Sequence, residues 1–396
     1  MSESGTLSAV LRCAANIILA VDAGRLSLDD ALDGADAGVR RILEHLLLNF
    51  YRYRKSIAAD WRRFASRPPA PGLAALLDAA ATQIRCQRGV APQSAVNVAV
   101  TLAKRVHADK FVNAVLRRFA AEAWTPPTAP DAVLPDPILR RWRREFVPEQ
   151  VEKLAQVFVT PAPFTFRLCR DAAVPPECAE LPGSGPFRFA AGDARTVLSS
   201  PGFSAGAYYV QDPAAAVAAT LALPELPHCR RVLDLCAAPG GKALMLAEHL
   251  ADGAELTAAD RSARRQELTR DNFRRHGVNA RVLTAAPEEL TGTYDLVLAD
   301  VPCSNTGVFR RRPDVLWRFS EAGLADVMAL QKSIVAQAAR LTAPGGTLIA
   351  ATCSIETDEN SALTGIAEAA GCRLVETAAR LPDAQGDGAF AAKFVR

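Results

Sequence analysis

The chain has 396 residues, 49% of them hydrophobic, and a formal net charge of +3. This length exceeds what one hydrophobic core usually organises, which predicts two or three domains. No run of about 18 apolar residues occurs, and the first residues lack the basic-then-apolar pattern of a secretory signal. These features exclude a typical membrane-spanning or secreted protein, so we expect a cytoplasmic location and no membrane partner.

Nine cysteines are spread along the chain, and no two of them form a C-x-x-C pair. This spacing favours neither a metal centre nor a disulfide framework, and we expect no metal. In a reducing compartment most of these thiols should be small buried apolar residues. A cysteine in a motif loop is instead a candidate for chemistry.

Apolar residues recur at helical spacing through the first part of the chain. One such helix face is formed by Phe111, Val112, Val115, Leu116 and Phe119. The spacing predicts an all-helical domain over residues 1–125. Residues 1–130 contain 17 Lys and Arg but 11 Asp and Glu, which suits a phosphate-bearing partner. An ordinary solvated surface explains this charge equally well.

The composition changes twice after the helical part. Residues 126–137 have the proline density of a linker. Residues 138–220 predict a small α/β subdomain, with one helix and the strand-like segments FTFRLC and PFRFAAG. Over 221–396, short β-branched runs alternate with helix-period stretches. That pattern predicts a doubly wound α/β domain whose site lies at the carboxyl ends of its parallel strands.

A small-residue loop follows the predicted strand at 232–235 and opens a helix. It consists of Cys236, Ala237, Ala238, Pro239, Gly240, Gly241 and Lys242. Such residues let the backbone approach a ligand closely, and the helix start offers free N–H groups to an anion. The next predicted strand, ELTAAD, ends in Asp260, whose carboxylate can accept hydrogen bonds from ribose hydroxyls.

Three nucleotide-type cofactors compete for this loop. A phosphate-binding P-loop would need Gly at position 236 and Ser or Thr at position 243, and a dinucleotide fingerprint needs G-x-G-x-x-G. The sequence has neither pattern. S-adenosylmethionine fits best, because its carboxylate suits the helix start and its ribose suits Asp260. A glycine-rich turn without a ligand is the remaining alternative.

Two cysteines follow two of the predicted strands. YDLVLAD ends at Asp300 and leads to Cys303, and TLIAAT leads to Cys353. A thiolate that adds to C6 of a cytosine makes C5 nucleophilic enough to take a methyl group. Asp300 can face the N3 and N4 edge of the base, and Lys242 can favour the thiolate. An inert core cysteine and a turn-capping aspartate are the ordinary alternatives, and the spacing does not say which thiol attacks.

Several motifs carry a family resemblance. CAAPGGK (236–242), DVPCSNTGVFRRRPDVLWR (300–318), LTAPGGTLIAATCS (341–354) and ETDEN (356–360) look like the Sun/NOL/NOP class of RNA cytosine-5 methyltransferases. YYVQDPAAAVAA (208–219) is also similar to that class. Residues 91–119 resemble the distal end of a NusB-like domain. This combination is typical of the RsmB/Sun type, which modifies bacterial small-subunit (16S) ribosomal RNA.

The resemblance implies an all-α NusB-like N-terminal domain, a small RNA-recognition-like middle subdomain and a C-terminal Rossmann-like class I S-adenosylmethionine methyltransferase domain. It implies that Cys353 is the nucleophile and that Cys303 helps product release, the reverse of the DNA cytosine-5 enzymes. Asp300 would face both cofactor and base, and Asp260 would bind the ribose. RNA, in particular 16S rRNA, is the implied partner, and we expect a monomer.

The chain departs from the family pattern at one cofactor position. The family usually has Gly-Asp where Ala285 and Ala286 stand here, so cofactor affinity could be lowered or Glu288 could substitute. The same chemistry on tRNA or another RNA, and a catalytically idle RNA-binding assembly factor, stay open as alternatives. The arginines at 310–312, flanked by aromatic residues, are a candidate RNA contact, with a solvated charge run as the alternative.

Overall fold

The structure is a computed structural model that describes residues 3–87, 89–183 and 185–396. Its helices, in chain order, are α1 (Glu3–Asp22), α2 (Leu28–Asp33), α3 (Ala37–Arg62), α4 (Pro71–Cys86), α5 (Pro92–Ala103), α6 (Asp109–Ala121), α7 (Pro130–Val133), α8 (Asp136–Glu145), α9 (Pro148–Val159), α10 (Ala194–Leu198), α11 (Pro201–Ser204), α12 (Ala216–Ala222), α13 (Gly241–Ala247), α14 (Ala263–His276), α15 (Asp314–Arg318), α16 (Glu321–Leu341) and α17 (Thr357–Ala369).

The strands are β1 (Phe164–Leu168), β2 (Ala179–Glu180), β3 (Arg188–Gly192), β4 (Tyr208–Val210), β5 (Arg231–Leu235), β6 (Glu255–Asp260), β7 (Arg281–Thr284), β8 (Tyr294–Asp300), β9 (Thr342–Thr352), β10 (Arg373–Arg380) and β11 (Ala389–Val395). The chain divides into two compact units. The helical unit runs to Pro161 and includes Phe309–Phe319, and the sheet unit comprises Ala162–Val308 and Ser320–Arg396.

The helical unit buries one apolar face from each long helix, which confirms the predicted all-α N-terminal domain. In α1, the side chains of Val10, Leu11, Ala14 and Ile18 are buried in the core. The window Gly5–Asp22 of this helix is long and apolar enough to cross a membrane, with a mean hydropathy of 1.4. The core helix of a globular unit shows the same length and composition, and the buried face of α1 fits that description.

The helical unit extends beyond the predicted boundaries. The segment predicted as a linker, 126–137, contains α7, and its Val133 and Leu134 are fully buried. The following helices α8 and α9 also belong to this compact unit, which runs to Pro161. The physical reason is that proline is favoured in the first helical turn, where its missing N–H costs nothing. Prolines begin α7 and α9 in this way.

The segment Phe309–Phe319 packs inside the helical unit, although it follows the Cys303 loop in the chain. Phe309 is fully buried, and its ring centroid lies 5.7 Å from that of Trp142. Arg310 is 2% exposed and donates to the carbonyl oxygens of Thr160 (3.3 Å) and Pro161 (2.9 Å). The interpretation of Arg310 as an RNA contact is therefore wrong, because its guanidinium is used inside the protein.

The sheet unit contains two sheets. A four-stranded antiparallel sheet has the order β2-β3-β1-β4 and forms the small middle subdomain. The larger sheet has the order β10-β11-β9-β8-β5-β6-β7. Its strands β9, β8, β5, β6 and β7 are parallel, and β10 and β11 add an antiparallel edge. This is the doubly wound domain that the sequence predicts.

The larger sheet places the motif loops together. The parallel strands β5, β6, β8 and β9 are neighbours, so their carboxyl ends meet at one edge. The strand order reverses at β5, since β6 lies on one side of it and β8 on the other. Crevices at such reversal points are where ligands bind in open α/β sheets. The cofactor loop and both cysteine loops open at this edge.

Candidate active site

The cofactor loop has the backbone geometry of a close ligand approach. Cys236 and Gly240 have positive φ values of 67° and 97°, and at Gly240 this conformation favours glycine. A Cβ atom on Gly241 would lie 2.8 Å from Nε2 of Gln211 and 2.8 Å from Cε1 of Tyr209. The absence of a side chain at position 241 therefore lets the loop lie close to Tyr209 of β4 and to Gln211, the residue after β4.

A cavity of about 230 Å³ opens over this loop. It is lined by residues of the cofactor loop, of the chain around β4, and of the ends of β5 and β8: Tyr209, Val210, Gln211, Ala215, Asp234, Cys236, Ala237, Ala238, Pro239, Gly241, Lys242 and Asp300. Six of the seven predicted loop residues thus line the cavity, Gly240 being the exception. The sequence interpretation missed Asp234, Tyr209 and Gln211.

Asp234 is the most unusual group in this cavity. It is fully buried, and among the described residues neither carboxylate oxygen has a hydrogen-bond partner. Burial raises its pKa to about 8, and the negative charge of Asp300 acts in the same direction. Burying a polar group without a partner is costly, so the carboxyl fits a ligand that brings a donor. In the sequence, this residue stands out only as an acidic residue inside the apolar run RVLDL (231–235).

Asp300 and Lys242 form an ion pair at the cavity wall. The Lys242 Nζ lies 2.6 Å from Oδ2 of Asp300. Burial lowers the pKa of the lysine, but the charge of Asp300 and the hydrogen bond to it outweigh burial and raise that pKa overall. The charge of Cys353 also raises the pKa of Lys242, so the ammonium lies within electrostatic reach of that thiol.

The two motif cysteines meet at the carboxyl ends of β8 and β9. Their sulfur atoms lie 3.2 Å apart. Cys303 is 8% exposed, whereas Cys353 is half-buried. The hydrogen bond with Cys353, together with burial, raises the pKa of Cys303 well above its usual value. Cys303 therefore stays a thiol at neutral pH, and the more accessible Cys353 is the better candidate nucleophile.

Asn305 connects the two thiols, which the sequence interpretation missed. Its Oδ1 accepts a hydrogen bond from the Cys353 thiol at 3.2 Å, and its Nδ2 donates to the carbonyl oxygen of Cys303 at 2.8 Å. The residue has a left-handed φ of 60°, which asparagine tolerates better than most side chains. The side chain therefore fixes the loop that carries Cys303 beside Cys353.

Asp260 lies apart from the cavity wall. It is buried at the end of β6, where its Oδ2 accepts from the Ala238 amide (3.2 Å) and its Oδ1 accepts from the Ser262 amide (2.9 Å). In the described part of the chain, the cavity lining includes neither Asp260 nor Ala286 nor Glu288. In this structure Asp260 holds the backbone of the cofactor loop, and its ribose contact stays a prediction.

Within the described residues, no group of three or more His, Cys, Asp or Glu side chains is arranged to hold a metal ion. The nine cysteines are free thiols.

Comparisons with solved structures agree with this fold. The crystal structure of PH0851 has a TM-score of 0.75 at 21% identity and covers 98% of this chain and 99% of its own. A methyltransferase homolog protein from Pyrococcus horikoshii has a TM-score of 0.56 at 22% identity, with 65% of this chain and 94% of its own covered. At these identities the likeness shows the fold alone.

Sequence comparisons add the family. A relative from Xylella fastidiosa, ribosomal RNA small subunit methyltransferase B, is 32% identical over 96% of this chain and 98% of its own length. The protein of the same name from Klebsiella pneumoniae is 39% identical over 50% of this chain and 49% of its own. Residues 9–121 match the model of the NusB family, and residues 220–394 match that of the 16S rRNA methyltransferase RsmB/F.

The cofactor of this class of methyltransferases is S-adenosylmethionine, as the loop at 236–242 predicts. Residues 9–121 lie within the helical unit, and residues 220–394 cover the larger sheet up to residue 394. Because the likeness to the Xylella relative spans nearly the whole of both chains, the chain belongs to the RsmB/F family of 16S rRNA methyltransferases and carries a NusB-family domain at its N-terminal end.

Proposed function

We propose that this protein transfers a methyl group to carbon 5 of a cytosine in 16S ribosomal RNA, with Cys353 as the covalent nucleophile. The observation that carries the proposal is the pair of thiols 3.2 Å apart, next to a cavity that Asp300 and Lys242 help to line. A methyltransferase acting on oxygen or nitrogen has no use for two such thiols. We expect the protein to act as a monomer in the cytoplasm.

The cavity residues fit S-adenosylmethionine, which supplies an electrophilic methyl group when bound. The buried, unpaired carboxyl of Asp234 suits an ammonium group. The small residues at 236–241 let the loop backbone approach the cofactor, and Asp260 keeps that loop in place through the Ala238 amide. The hydrogen bond from the Asn272 amide to the Pro239 carbonyl (2.9 Å) supports it from the other side.

Covalent attack explains the need for a thiol. The Cys353 sulfur forms a bond to C6 of the cytosine, which moves electron density to C5, where the methyl group is accepted. Lys242 holds Asp300 in place through the ion pair at 2.6 Å. Asp300 faces the N3 and N4 edge of the base and stabilises the charge that develops there during the attack.

Release requires the proton on C5 to leave before the bond between C6 and sulfur breaks. The expelled group is the Cys353 thiolate, and the ring regains its double bond. Cys303 is the group that touches the nucleophile, at 3.2 Å, so we assign product release to it. Its raised pKa makes it a poor first attacker. Once its own proton has passed to solvent, its thiolate takes the proton from C5 and the Cys353 thiolate leaves.

The experiment that tests the substrate is bisulfite sequencing of small-subunit rRNA from cells with and without the protein. We expect one 5-methylcytosine to disappear in the cells that lack it, and retention of every such site would overturn the assignment to 16S rRNA. The tRNA fraction of the same cells, sequenced in parallel, distinguishes the same chemistry on another RNA.

A further inference from the structure

Glu359 is a fully buried carboxylate in the first turn of α17. Its Oε1 accepts hydrogen bonds from the Ser304 amide (3.0 Å) and from Nε2 of Gln331 (2.7 Å). Its Oε2 accepts from the Ser304 hydroxyl at 2.6 Å. Three donors therefore satisfy the two oxygens, which is what a buried carboxylate requires.

The hydrogen bonds of Glu359 join it to residues outside α17, the helix that carries it. A glutamate three residues into a helix usually bonds back to the N-terminal end of its own helix. Glu359 instead bonds to Ser304, the neighbour of Cys303, and to Gln331 of α16. Gln331 in turn donates to the carbonyl oxygen of Pro302 at 2.9 Å. The Cys303 loop is thus held on both sides of its cysteine.

The same network reaches the other cysteine loop. The hydroxyl oxygen of Ser304 also lies 3.0 Å from that of Ser354, the neighbour of Cys353. Thr306 contacts the Ser354 hydroxyl at 3.3 Å, and the Gly307 amide donates to the carbonyl oxygen of Cys353 at 2.9 Å. The hydroxyl groups of Ser304 and Thr306 therefore connect the two loops through Ser354. Ser304 also links this connection to the Glu359 carboxylate.

We propose that Glu359 is a positioning residue that fixes the separation of the two active-site thiols. This inference rests on the proposed function, in which both thiols act on one base. The thiols come from different strands, so their distance depends on how the two loops are held against each other, by Asn305 and by the Glu359 network. The hydrogen bonds of this network restrict how the two loops can be arranged, and here that arrangement brings the sulfurs to 3.2 Å.

The test measures thiol proximity without RNA or cofactor. Diamide oxidises two neighbouring thiols to a disulfide and is itself reduced to the hydrazine, taking up both thiol protons. The rate at which the peptide pair joining Cys303 and Cys353 appears, followed by mass spectrometry, reports how often the sulfurs meet. We expect Glu359→Ala to slow this rate at least ten-fold. Glu359→Gln should be intermediate, because its amide keeps one acceptor oxygen but presents N–H groups to Ser304.

Two matched controls lie on the same helix. Leu363→Ala removes a fully buried apolar side chain of α17 and should lower the melting temperature while leaving the crosslinking rate near that of the wild type. Glu368→Ala removes an exposed glutamate and should change neither quantity. If the Glu359→Ala chain does not fold, Ser304→Ala removes only the hydroxyl branch of the network and should still slow crosslinking several-fold.

Wild-type crosslinking in Glu359→Ala, or in Ser304→Ala where Glu359→Ala does not fold, would overturn the inference. An equal slowing in Leu363→Ala would also overturn it, because the effect would then follow stability alone. The crosslinking rate does not depend on methylation, so a failed rRNA assay and a failed positioning test can be told apart.

Discussion

The sulfur atoms of Cys303 and Cys353 lie 3.2 Å apart, although 50 positions separate the two residues in the chain. They meet because β8 and β9 are adjacent parallel strands whose carboxyl ends lie at the same edge of the sheet. Neighbouring strands are about 4.8 Å apart, so the two sulfur atoms lie closer together than the strands that carry their loops.

Gly307→Ala should disrupt the nucleophile loop. A Cβ atom at position 307 would lie 2.5 Å from the carbonyl oxygen of Cys353 and 2.9 Å from that of Gly388, both backbone atoms. The Cys353 loop must therefore shift, and we expect the methylation rate to fall about 100-fold or more, since small misplacements of reacting groups have effects of that order. Initial rates of methyl transfer from labelled cofactor to rRNA measure this change.

The matched control for that substitution is Gly365→Ala in α17. A Cβ atom there meets nothing within 4 Å, and alanine stabilises a helix interior by roughly 0.5–1 kcal/mol relative to glycine. The control should therefore keep full activity. Equal rates for the two variants would show that the position of the Cys353 loop does not matter.

Lys242→Met should reduce the rate of methyl transfer. Asp300 then loses the ion-pair partner that lies 2.6 Å from its Oδ2, so the carboxylate that should face the base is no longer held in place. We expect a loss of about 100-fold, the order of effect seen when one preorganised electrostatic group is removed from an active site. Initial rates of methyl transfer from labelled cofactor to rRNA measure this. A wild-type rate would mean that the ion pair does not contribute to the reaction.

Asp234 should make the cofactor-free protein less stable as the pH rises. Its pKa in the folded chain is about 8, against an ordinary value of 3.8. The folded state therefore binds this proton more tightly than the unfolded state, and the resulting stability is full below pH 3.8 and is lost as the pH rises to about 8. The slope contributed by one such group is at most about 1.4 kcal/mol per pH unit.

Asp234→Asn lacks this titration. Relative to the wild type, its free energy of unfolding should therefore rise between pH 5 and pH 8. Urea unfolding of both proteins at the two pH values measures the difference. Asp252→Asn, at an exposed position, should follow the wild type. A constant difference between Asp234→Asn and the wild type would mean that Asp234 is already ionised at pH 5.

Arg310→Leu should destabilise the protein without changing its RNA electrostatics. The substitution removes two hydrogen bonds from a charged donor to the carbonyl oxygens of Thr160 and Pro161, each contributing about 1.5–3 kcal/mol. Urea unfolding should show that loss, while the salt dependence of RNA affinity should stay unchanged. A reduced salt slope with unchanged stability would restore the interpretation of Arg310 as a phosphate contact.

The parts of the fold that depend on local pattern could be predicted from the sequence. The helical first part, the runs that became β5, β6, β7, β8 and β9, and the cofactor loop are each visible as periodicity or as a motif. The compact helical unit extends through the segment 126–137, which was predicted as a linker, because prolines that look like linker residues lie in the first turns of α7 and α8. A proline in a first helical turn and a proline in a linker have the same local signature.

The parts of the site that depend on long-range contacts could not be predicted. The roles of Glu359 and Asn305 arise only when loops from β8 and β9 meet, and no spacing within either loop shows that meeting. The arginines at 310–312 were interpreted as an RNA contact. The sequence of such a run is the same whether its side chains face solvent or donate to carbonyl groups inside the protein. The structure distinguishes the two cases, because Arg310 is only 2% exposed.

Covalent trapping tests the central claim most directly. The single variants Cys303→Ala and Cys353→Ala are each incubated with 16S rRNA and S-adenosylmethionine, and protein–RNA adducts that survive denaturation are counted on a gel. Cys303→Ala should accumulate the adduct, because Cys353 still attacks C6 but release is slowed, and Cys353→Ala should form none. An adduct that accumulates in Cys353→Ala and is absent from Cys303→Ala would contradict the account and make Cys303 the nucleophile.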